Sequence, residues 1–376
     1  MSSTNVAIPF AREQPCARNH RLDRQLARFA WRHRAAVSAL AARHSRLADL
    51  AFSFPALLFA LAVPRRNFDP AWTIARVIAG APLAELAAAA RIPLWTRKLG
   101  AEAFQRPIPA LPDNPEFCRQ IANHWPASAQ TASLWLEMVA ATAFWGHDAF
   151  AIWIARGIAR GGARLIERHW RLLALWAWHT TKAAPEFPAV SWKPEMSAVQ
   201  ALAAAGDWNS SVIVKLTLDR AAMAGVEPAV VDGLSFEPVL TAADLIAEAR
   251  TLSNCAREHS HAMASGHVQI WVAKRDGKTV AMLRVGVYPV PTLNEILGPA
   301  NRTVAPDLAV TAHRWLRDNS KIELMPLPRR MNVDHQRWRG AWRAYWLEKQ
   351  AIPAWLPMAA PRRLYRWLEP GRVRRR

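Results

Sequence analysis

Apolar residues recur every three or four positions through most of the first 230 residues, a spacing typical of amphipathic helices packed on a core. The first such segment is an Arg-rich helix whose apolar face holds Leu22, Leu26, Phe29, Ala30 and His33. Further helices are predicted at about 81–104 (broken at Pro93), 115–123, 129–145 and 164–182. The pattern therefore predicts a helical N-terminal region over residues 1–230.

After Gly266 the hydrophobic period becomes two, which indicates β-strands. Val268, Ile270 and Val272 alternate with their neighbours, and the dipeptide Asp276-Gly277 predicts a tight hairpin turn. A third strand is predicted at 293–297, a capped helix precedes the strands from Thr241, and another helix follows at about 306–319. The sequence therefore predicts an α+β, predominantly α-helical fold with a small helix–three-stranded meander–helix module at 231–325 and a third segment at 326–376.

The charge of the chain is concentrated at its two ends. The 376 residues contain 49 Lys and Arg against 29 Asp and Glu, a net charge of +20. Residues 1–50 hold nine Arg against three acids, and residues 329–376 hold twelve Arg and one Lys against three acids. Basic ends attract nucleic-acid phosphates, anionic lipids or acidic proteins, although solubility alone is also a sufficient reason for them. We expect DNA or RNA as partners of the termini, together with protein partners of unknown kind.

The location of the protein follows from what the sequence lacks. Residues 1–20 contain no apolar signal-peptide core, and the most apolar stretch, 51–63, is shorter than the roughly 20 residues of a membrane-spanning helix. The three cysteines (Cys16, Cys118 and Cys255) are odd in number and widely spaced, which argues against a disulfide framework. We therefore expect no transmembrane segment and a cytoplasmic location.

Residues 239–319 carry a family resemblance. The runs DLIAE, NC, a glycine before a hairpin, ILGPAN and a closing WL helix occur here in one order, and they resemble the PcfJ-like proteins, a family named after a protein encoded among conjugative-plasmid transfer genes. The matching positions include Asp244, Glu248, Asn254, Cys255, Gly266, Gly298, Asn301 and Trp315. The chain departs from the family pattern at His259, where an aromatic residue is expected. The resemblance implies plasmid transfer or another DNA-linked process of mobile elements, but no defined reaction.

Cys255 is the first candidate for chemistry in this module. His259 lies one helical turn away and would be placed to hold Cys255 as a nucleophilic thiolate. With His261, the same residues would form an incomplete set of zinc ligands. The alternative is that Cys255 is a small buried packing residue.

Two carboxylates are the second candidate. Glu248 and Glu295 would hold a divalent ion for a nuclease-like reaction if they met across the module. The alternative is an ion pair, such as Glu248 with an Arg, together with Asn301 capping a turn. The chain lacks a Gly-rich phosphate loop, an HExxH motif and zinc-finger spacing, so we expect no cofactor and no bound metal.

The C-terminal segment contains an aromatic and basic helix. Trp338, Trp342 and two further aromatic residues form one stripe, and nearby basic residues are Arg337, Arg339 and Arg343. Such a helix fits base stacking with single-stranded nucleic acid, binding to an anionic membrane, or docking on the protein body. Arg362 and Arg363 are further candidates for nucleic-acid binding, and the final Arg-rich residues are expected to contact anions non-specifically. We expect this segment to be separable from the module.

Together these patterns favour a non-enzymatic, nucleic-acid-associated or plasmid-transfer accessory protein. One alternative is a thiol-based or metal-dependent, nuclease-like enzyme centred on Cys255 or on Glu248 and Glu295. Another is a protein-interaction scaffold.

Overall fold

The structure, a computed structural model, describes residues 20–65, 68–126, 128–182, 187, 189–221, 223, 225–321, 333–361, 364, 367 and 368. The chain divides into two compact units. The first comprises residues up to 143 together with 148–167, and the second comprises 144–147 and the residues from 168 onwards. The three segments predicted from the sequence have different limits and stay a prediction.

Helices build the first unit. They are α1 (His20–Leu26), α2 (Trp31–Ala41), α3 (Ser45–Ser53), α4 (Pro55–Ala62), α5 (Pro70–Ala79), α6 (Leu83–Ala89), α7 (Pro115–Ile121), α8 (Ala129–Trp145, which ends in the second unit) and α9 (Asp148–Gly157). Short 3₁₀ turns occupy Leu94–Lys98 and Ala101–Ala103. Helix α4 is apolar on every side because its residues lie in the core of this unit.

The prediction of one continuous first helix is wrong. The chain breaks between Leu26 and Trp31, and α2 begins after Ala30, whose backbone is extended (φ −52°, ψ 130°). The break lets Phe29 enter the core and stack on Phe59, with ring centroids 6.2 Å apart. Burial of an aromatic ring, worth about 2 kcal/mol or more, outweighs the hydrogen bonds that a continuous helix would add.

The second unit combines helices with one sheet. Its helices are α10 (Ala163–Thr180, which begins in the first unit), α11 (Ala198–Thr217), α12 (Ala242–Thr251), α13 (Ser260–Ala264), α14 (Pro306–Asn319) and α15 (His335–Lys349). Its strands are β1 (Ala229–Val231), β2 (Leu234–Val239), β3 (Val268–Arg275), β4 (Lys278–Gly286) and β5 (Thr292–Leu297). None of the helices in the described part of the chain has both the length and the apolar character needed to cross a bilayer.

The predicted α+β, predominantly helical fold class is confirmed, but the meander is larger than predicted. The strands pair antiparallel in the order β1-β2-β3-β4-β5, so two strands precede the three that the sequence indicated. β1 and β2 are joined by Asp232-Gly233, whose φ angles are 49° and 76°, and β3 and β4 by Asp276-Gly277, with 50° and 73°. Both turns need left-handed backbone at two positions, which Asp and Gly tolerate. The first Asp-Gly pair was therefore an available signal for the missed hairpin.

The sheet is buried on both faces. On one face Ile270, Val272 and Met282 pack against α11, α12 and α13. On the other face Trp271 packs with residues of α14, including Trp315. Side chains alternate between faces along a strand, so the period of two in β3 separates two apolar layers rather than a core face from a solvent face.

Candidate functional site

Two loops of the second unit meet at Cys255 and Asn301. After α12 the chain reverses through Ser253, whose φ of 50° is left-handed. The loop that follows β5 is fixed against this reversal because the backbone N–H of Ala300 donates to the carbonyl of Leu252 at 2.7 Å. Asn301 is thereby placed beside Cys255.

Asn301 engages both polar hydrogens of Cys255. Its Oδ1 accepts the backbone N–H at 3.3 Å and the thiol at 3.6 Å. Asn301 has a φ of 57°, a left-handed conformation that asparagine adopts more readily than most residues. Cys255 is half-buried, so it is not the sealed packing residue of one interpretation. The contact of Asn301 with the backbone N–H of Cys255 is of the kind described by the alternative in which Asn301 caps a turn.

The thiol–imidazole pair that nucleophilic catalysis requires is not assembled at Cys255. The thiol donates to Asn301, and Nε2 of His259 is buried without a hydrogen-bond partner in the described structure. Burial lowers the pKa of His259, and the positive charge of Arg284 lowers it further, against the opposing charge of Glu295. A neutral imidazole lacks the positive charge that would stabilise a thiolate.

A metal centre at Cys255, His259 and His261 is not formed either. His261 is exposed on α13. Within the described ranges, no group of three or more His, Cys, Asp or Glu side chains is arranged to hold a metal ion. A structural zinc site needs four such ligands.

The structure does not bring Glu248 and Glu295 together. Glu248 accepts a hydrogen bond from Thr279 at 2.8 Å, whereas Glu295 lies 3.8 Å from Arg284. Thr279 and Arg284 are five residues apart on β4, which corresponds to about 16 Å along a strand. The paired-carboxylate site is therefore wrong, and it is Glu295, rather than the Glu248 of the alternative interpretation, that pairs with an arginine.

Glu248 belongs to a polar cluster at the other end of β4. Its Oε1 lies 3.9 Å from Nζ of Lys274, which also pairs with Glu237 at 2.6 Å. The hydrogen bond and charge of Lys274 hold the pKa of Glu237 below its usual range. Glu248 thus ties α12 to β3 and β4, which is a structural role.

Other motif residues also hold the module together. Asp244 shares the N-terminal cap of α12 with Thr241, and Asn254 is buried. Gly266 supplies left-handed backbone (φ 78°) before β3. The indole of Trp315 is fully buried and stacks on Phe236 with centroids 4.6 Å apart. Apart from Cys255 and Asn301, these motif positions determine the fold rather than a reaction.

The expected base-stacking role of Trp338 and Trp342 is wrong for this structure. Both indoles have 0% exposure and face the interior of the second unit. Trp342 packs against Phe187 and Trp208, with centroids 6.1 and 6.3 Å away. The aromatic stripe of α15 therefore docks the helix on the protein body, which was one of the three predicted alternatives.

The basic residues of α15 remain at the surface. Arg337 pairs with Asp219 at 2.9 Å, whereas Arg339 and Arg343 line an open groove. Arg362 and Arg363 lie outside the described residues. Contacts of these arginines with nucleic acid stay a prediction, but the buried Trp338 and Trp342 are not available to stack on bases beside them.

A second basic surface lies in the first unit, and we call it the N-terminal basic face. It comprises α1, α2, α3 and residues 94–106. Residues 20–53 contain seven Arg against the two acids Asp23 and Asp49, and residues 94–106 contain Arg97, Lys98 and Arg106 against Glu102. The seven Arg of residues 20–46 are all exposed.

Direct contacts join these segments into one surface. Arg28 pairs with Glu102 at 2.9 Å, and Arg32 donates to the carbonyl of Gln105 at 2.5 Å. On the other side of α1, Arg21 lies 5.2 Å from the ring of Phe52. The basic residues are therefore neighbours in space as well as in sequence.

Trp31 stands at the start of α2 within the N-terminal basic face, and it is 83% exposed. The sequence interpretation missed this feature, because a single Trp in a helical region is usually a core residue. The available signal was its position among Arg28, Arg32 and Arg34, which are three of the seven Arg in residues 20–46.

A pocket of about 640 Å³ opens in the same unit, lined by Ser53, Leu94, Trp95, Arg97, Lys98, Asp113 and Cys118. Nζ of Lys98 lies 5.6 Å above the ring of Trp125. Arg97 donates to the carbonyl of Ser53, which connects the pocket to α3 and so to the N-terminal basic face. Cationic and aromatic groups thus occur together here too.

Comparison with protein-family models, with curated proteins and with solved structures finds no match for this chain. The resemblance to PcfJ-like proteins therefore stays a prediction that rests on the residues named above.

Proposed function

We propose that this chain binds single-stranded nucleic acid, without catalysis, through the N-terminal basic face. The observation that carries the proposal is the almost fully exposed Trp31 among exposed arginines. An exposed indole offers an apolar face for a nucleobase, and stacking of one base contributes about 1–3 kcal/mol. In a duplex the bases are stacked on each other, so this contribution favours single strands.

The arginines near Trp31 are oriented without being neutralised. Arg32 and Arg34 donate to the backbone carbonyls of Gln105 and Ala27. A carbonyl fixes the direction of a guanidinium group but carries no net charge, so the positive charge remains available to a phosphate. Arg28, by contrast, has the carboxylate of Glu102 beside it.

Small exposed side chains lie between two of these charges. On α2 the exposed positions Arg32, Ala36 and Ala39 follow helical spacing, and Arg43 lies two residues beyond the end of the helix. Two small residues therefore lie between these two cations. Small side chains allow a phosphodiester backbone to approach the helix closely. The predicted PcfJ-like resemblance, which implies a DNA-linked process, supports a nucleic-acid partner, and a cytoplasmic location would give access to one.

The test is a fluorescence-anisotropy titration of the full chain against labelled 20-nucleotide single-stranded DNA and RNA. We expect binding that weakens steeply between 50 and 200 mM salt, because arginine–phosphate contacts release counterions. Trp31→Ala should weaken binding about fivefold or more. It should leave thermal stability unchanged, because the side chain is exposed.

Trp72→Ala is the matched control. Trp72 is also exposed in the first unit, where it stacks with Arg76 at 5.7 Å outside the N-terminal basic face. The proposal fails if the two tryptophan variants bind equally well, or if duplex DNA competes as effectively as single strands.

A further inference from the structure

The exposed side of α15 forms one wall of an open groove in the second unit. The groove has a volume of about 790 Å³, and its lining includes Arg339, Gly340, Arg343, Leu347, Ile352 and Met358. The apolar members are unusually exposed: Leu347 is 66%, Ile352 51% and Met358 47% accessible. Apolar side chains exposed together in a concave surface are typical of a binding site.

The second wall is the segment that follows α15, and buried tryptophans fix it in place. The indole N–H of Trp338 donates to the carbonyl of Pro357 at 2.7 Å, and that of Trp346 donates to Leu356 at 3.1 Å. Leu356 is itself fully buried. The two walls are therefore held by the core of the unit, so a ligand would meet a preformed groove and lose little energy in ordering it.

The charge of the groove selects an anionic ligand. Arg339 and Arg343 lie one helical turn apart, and the lining of the groove contains no Asp or Glu. Between them, Gly340 leaves open space, since no heavy atom lies within 4 Å of where a side chain would begin. A ligand for this surface needs an apolar stripe flanked by carboxylates.

From these features we infer that the groove binds an acidic amphipathic helix of a partner protein. The groove runs beside α15 from Gln336 to Gln350, a length of about 21 Å or four helical turns. Helices of this length insert apolar side chains at i, i+3/i+4 and i+7 into grooves. Glutamates beside that stripe would meet Arg339 and Arg343.

The shape and chemistry of the groove disfavour other anionic partners. A membrane surface takes up a convex apolar face, whereas here the apolar residues line the two walls of a groove. A single nucleic-acid strand needs exposed aromatic rings for stacking, but the exposed apolar residues are aliphatic or Met, and Trp346 is buried.

The probe is a fluorescein-labelled 16-residue peptide with Leu at i, i+4, i+7 and i+11 and Glu at the flanking positions. A scrambled peptide of the same composition and a version with Lys in place of Glu serve as ligand controls. We expect the full chain to bind the patterned acidic peptide at least tenfold more tightly than either control.

Variants of the protein locate the binding. Gly340→Leu fills the groove and should weaken binding at least tenfold, and the protein should still fold because Leu is a better helix former than Gly. The matched control is Gly206→Leu in α11, where a side chain also meets open space. Arg339→Gln with Arg343→Gln should weaken binding about tenfold, whereas Arg337→Gln should have little effect.

Equal binding of the patterned and scrambled peptides would overturn the inference, and so would an equal loss of binding in the Gly340→Leu and Gly206→Leu variants. Displacement of the patterned peptide by anionic phosphatidylglycerol vesicles, or by single-stranded DNA, would also overturn it. Trp31→Ala should not affect peptide binding, so the outcome here is independent of the nucleic-acid proposal.

Discussion

Asn301 holds Cys255 from the loop after β5, because one Oδ1 atom accepts both the backbone N–H and the thiol of the cysteine, at 3.3 and 3.6 Å. In this arrangement the hydrogen-bond partner of the thiol is Asn301 and not His259. Cys255 is therefore a restrained, half-buried thiol. We expect Asn301, rather than a general base, to control the reactivity of this thiol.

Substitution of Asn301 should release this thiol. Asn301→Gly removes the acceptor and tolerates the left-handed backbone (φ 57°), so Cys255 should react with iodoacetamide about threefold faster or more. Asn301→Asp keeps an acceptor but adds a negative charge, which disfavours the thiolate, so alkylation should slow. Peptide-resolved mass spectrometry measures the rate, with Cys118 as an internal control. Unchanged rates at Cys255 in both variants would contradict this role of Asn301.

Cys118 should be a slow thiol for a different reason. Burial raises its pKa, and the charge of Asp113, whose carboxylate accepts its thiol proton at 3.7 Å, raises the pKa further. A raised pKa means less thiolate at pH 8, so alkylation is slow. Asp113→Asn removes the charge and should accelerate alkylation of Cys118 about twofold to fivefold, while Cys255 keeps its rate. A slower or equal rate at Cys118 would show that Asp113 does not control it.

The ion pairs that join α11 to Arg250 of α12 and to Arg257 should contribute to stability above acidic pH. Asp207 contacts both Arg257 and Arg250. Its burial alone would raise its pKa, but the hydrogen bonds and charges of the two arginines outweigh burial and hold the pKa below its usual value of 3.8. A lowered carboxyl pKa adds stability that is present above the unfolded-state value and is lost as the pH falls through the folded-state value.

Removal of this carboxylate should therefore make the free energy of unfolding depend less on pH in the acidic range. Between pH 7 and pH 5 Asp207→Asn should be less stable than the unmodified chain, by about 1 kcal/mol or less because the pair is partly exposed. The difference should shrink below about pH 4 as the carboxylate becomes protonated. Urea unfolding at a series of pH values measures it, and Asp219→Asn, at a more exposed pair with Arg337, is the control. A constant difference at every pH would show that the charge of Asp207 is not the cause.

Local sequence patterns predicted much of the second unit, because its elements carry strong local signals. The helix at Pro306–Asn319 was predicted with those limits, and the cap at Thr241 and the turn at Asp276-Gly277 are confirmed. A capping side chain and a left-handed turn act over three or four residues, so the sequence alone specifies them.

The candidate sites depend on contacts that a sequence pattern does not contain. An amphipathic stripe such as that of α15 is compatible with a core, a membrane or a nucleic acid, and only the position of Trp208 opposite Trp342 decides among them. Glu248 and Glu295 are far apart because α12 meets β4 near Thr279 rather than near Arg284. The packing of segments that are distant in sequence, not residue type, determines whether the stripe of α15 is buried and whether the two glutamates meet.

The docking of α15 also changes what happens when the C-terminal segment is removed. The sequence predicted that this segment is separable, but a chain that ends at residue 328 lacks the four buried aromatic residues Trp338, Trp342, Tyr345 and Trp346. Tyr345 additionally donates its hydroxyl to the carbonyl of Trp145 at 2.9 Å. Loss of one large buried aromatic side chain costs about 3–5 kcal/mol.

We therefore expect truncation after residue 328 to abolish cooperative folding of the second unit or to lower its free energy of unfolding by more than about 3 kcal/mol. Truncation after residue 368 is the control, since it keeps Trp367, whose ring lies 5.0 Å from that of Trp338, and it should unfold like the full chain. Circular dichroism melts of the three chains measure the effect. Because Trp31 lies in the other unit, the chain ending at 368 should retain the effect of Trp31→Ala on nucleic-acid binding. A chain ending at 328 that melts like the full protein would show that the aromatic face of α15 does not stabilise this unit.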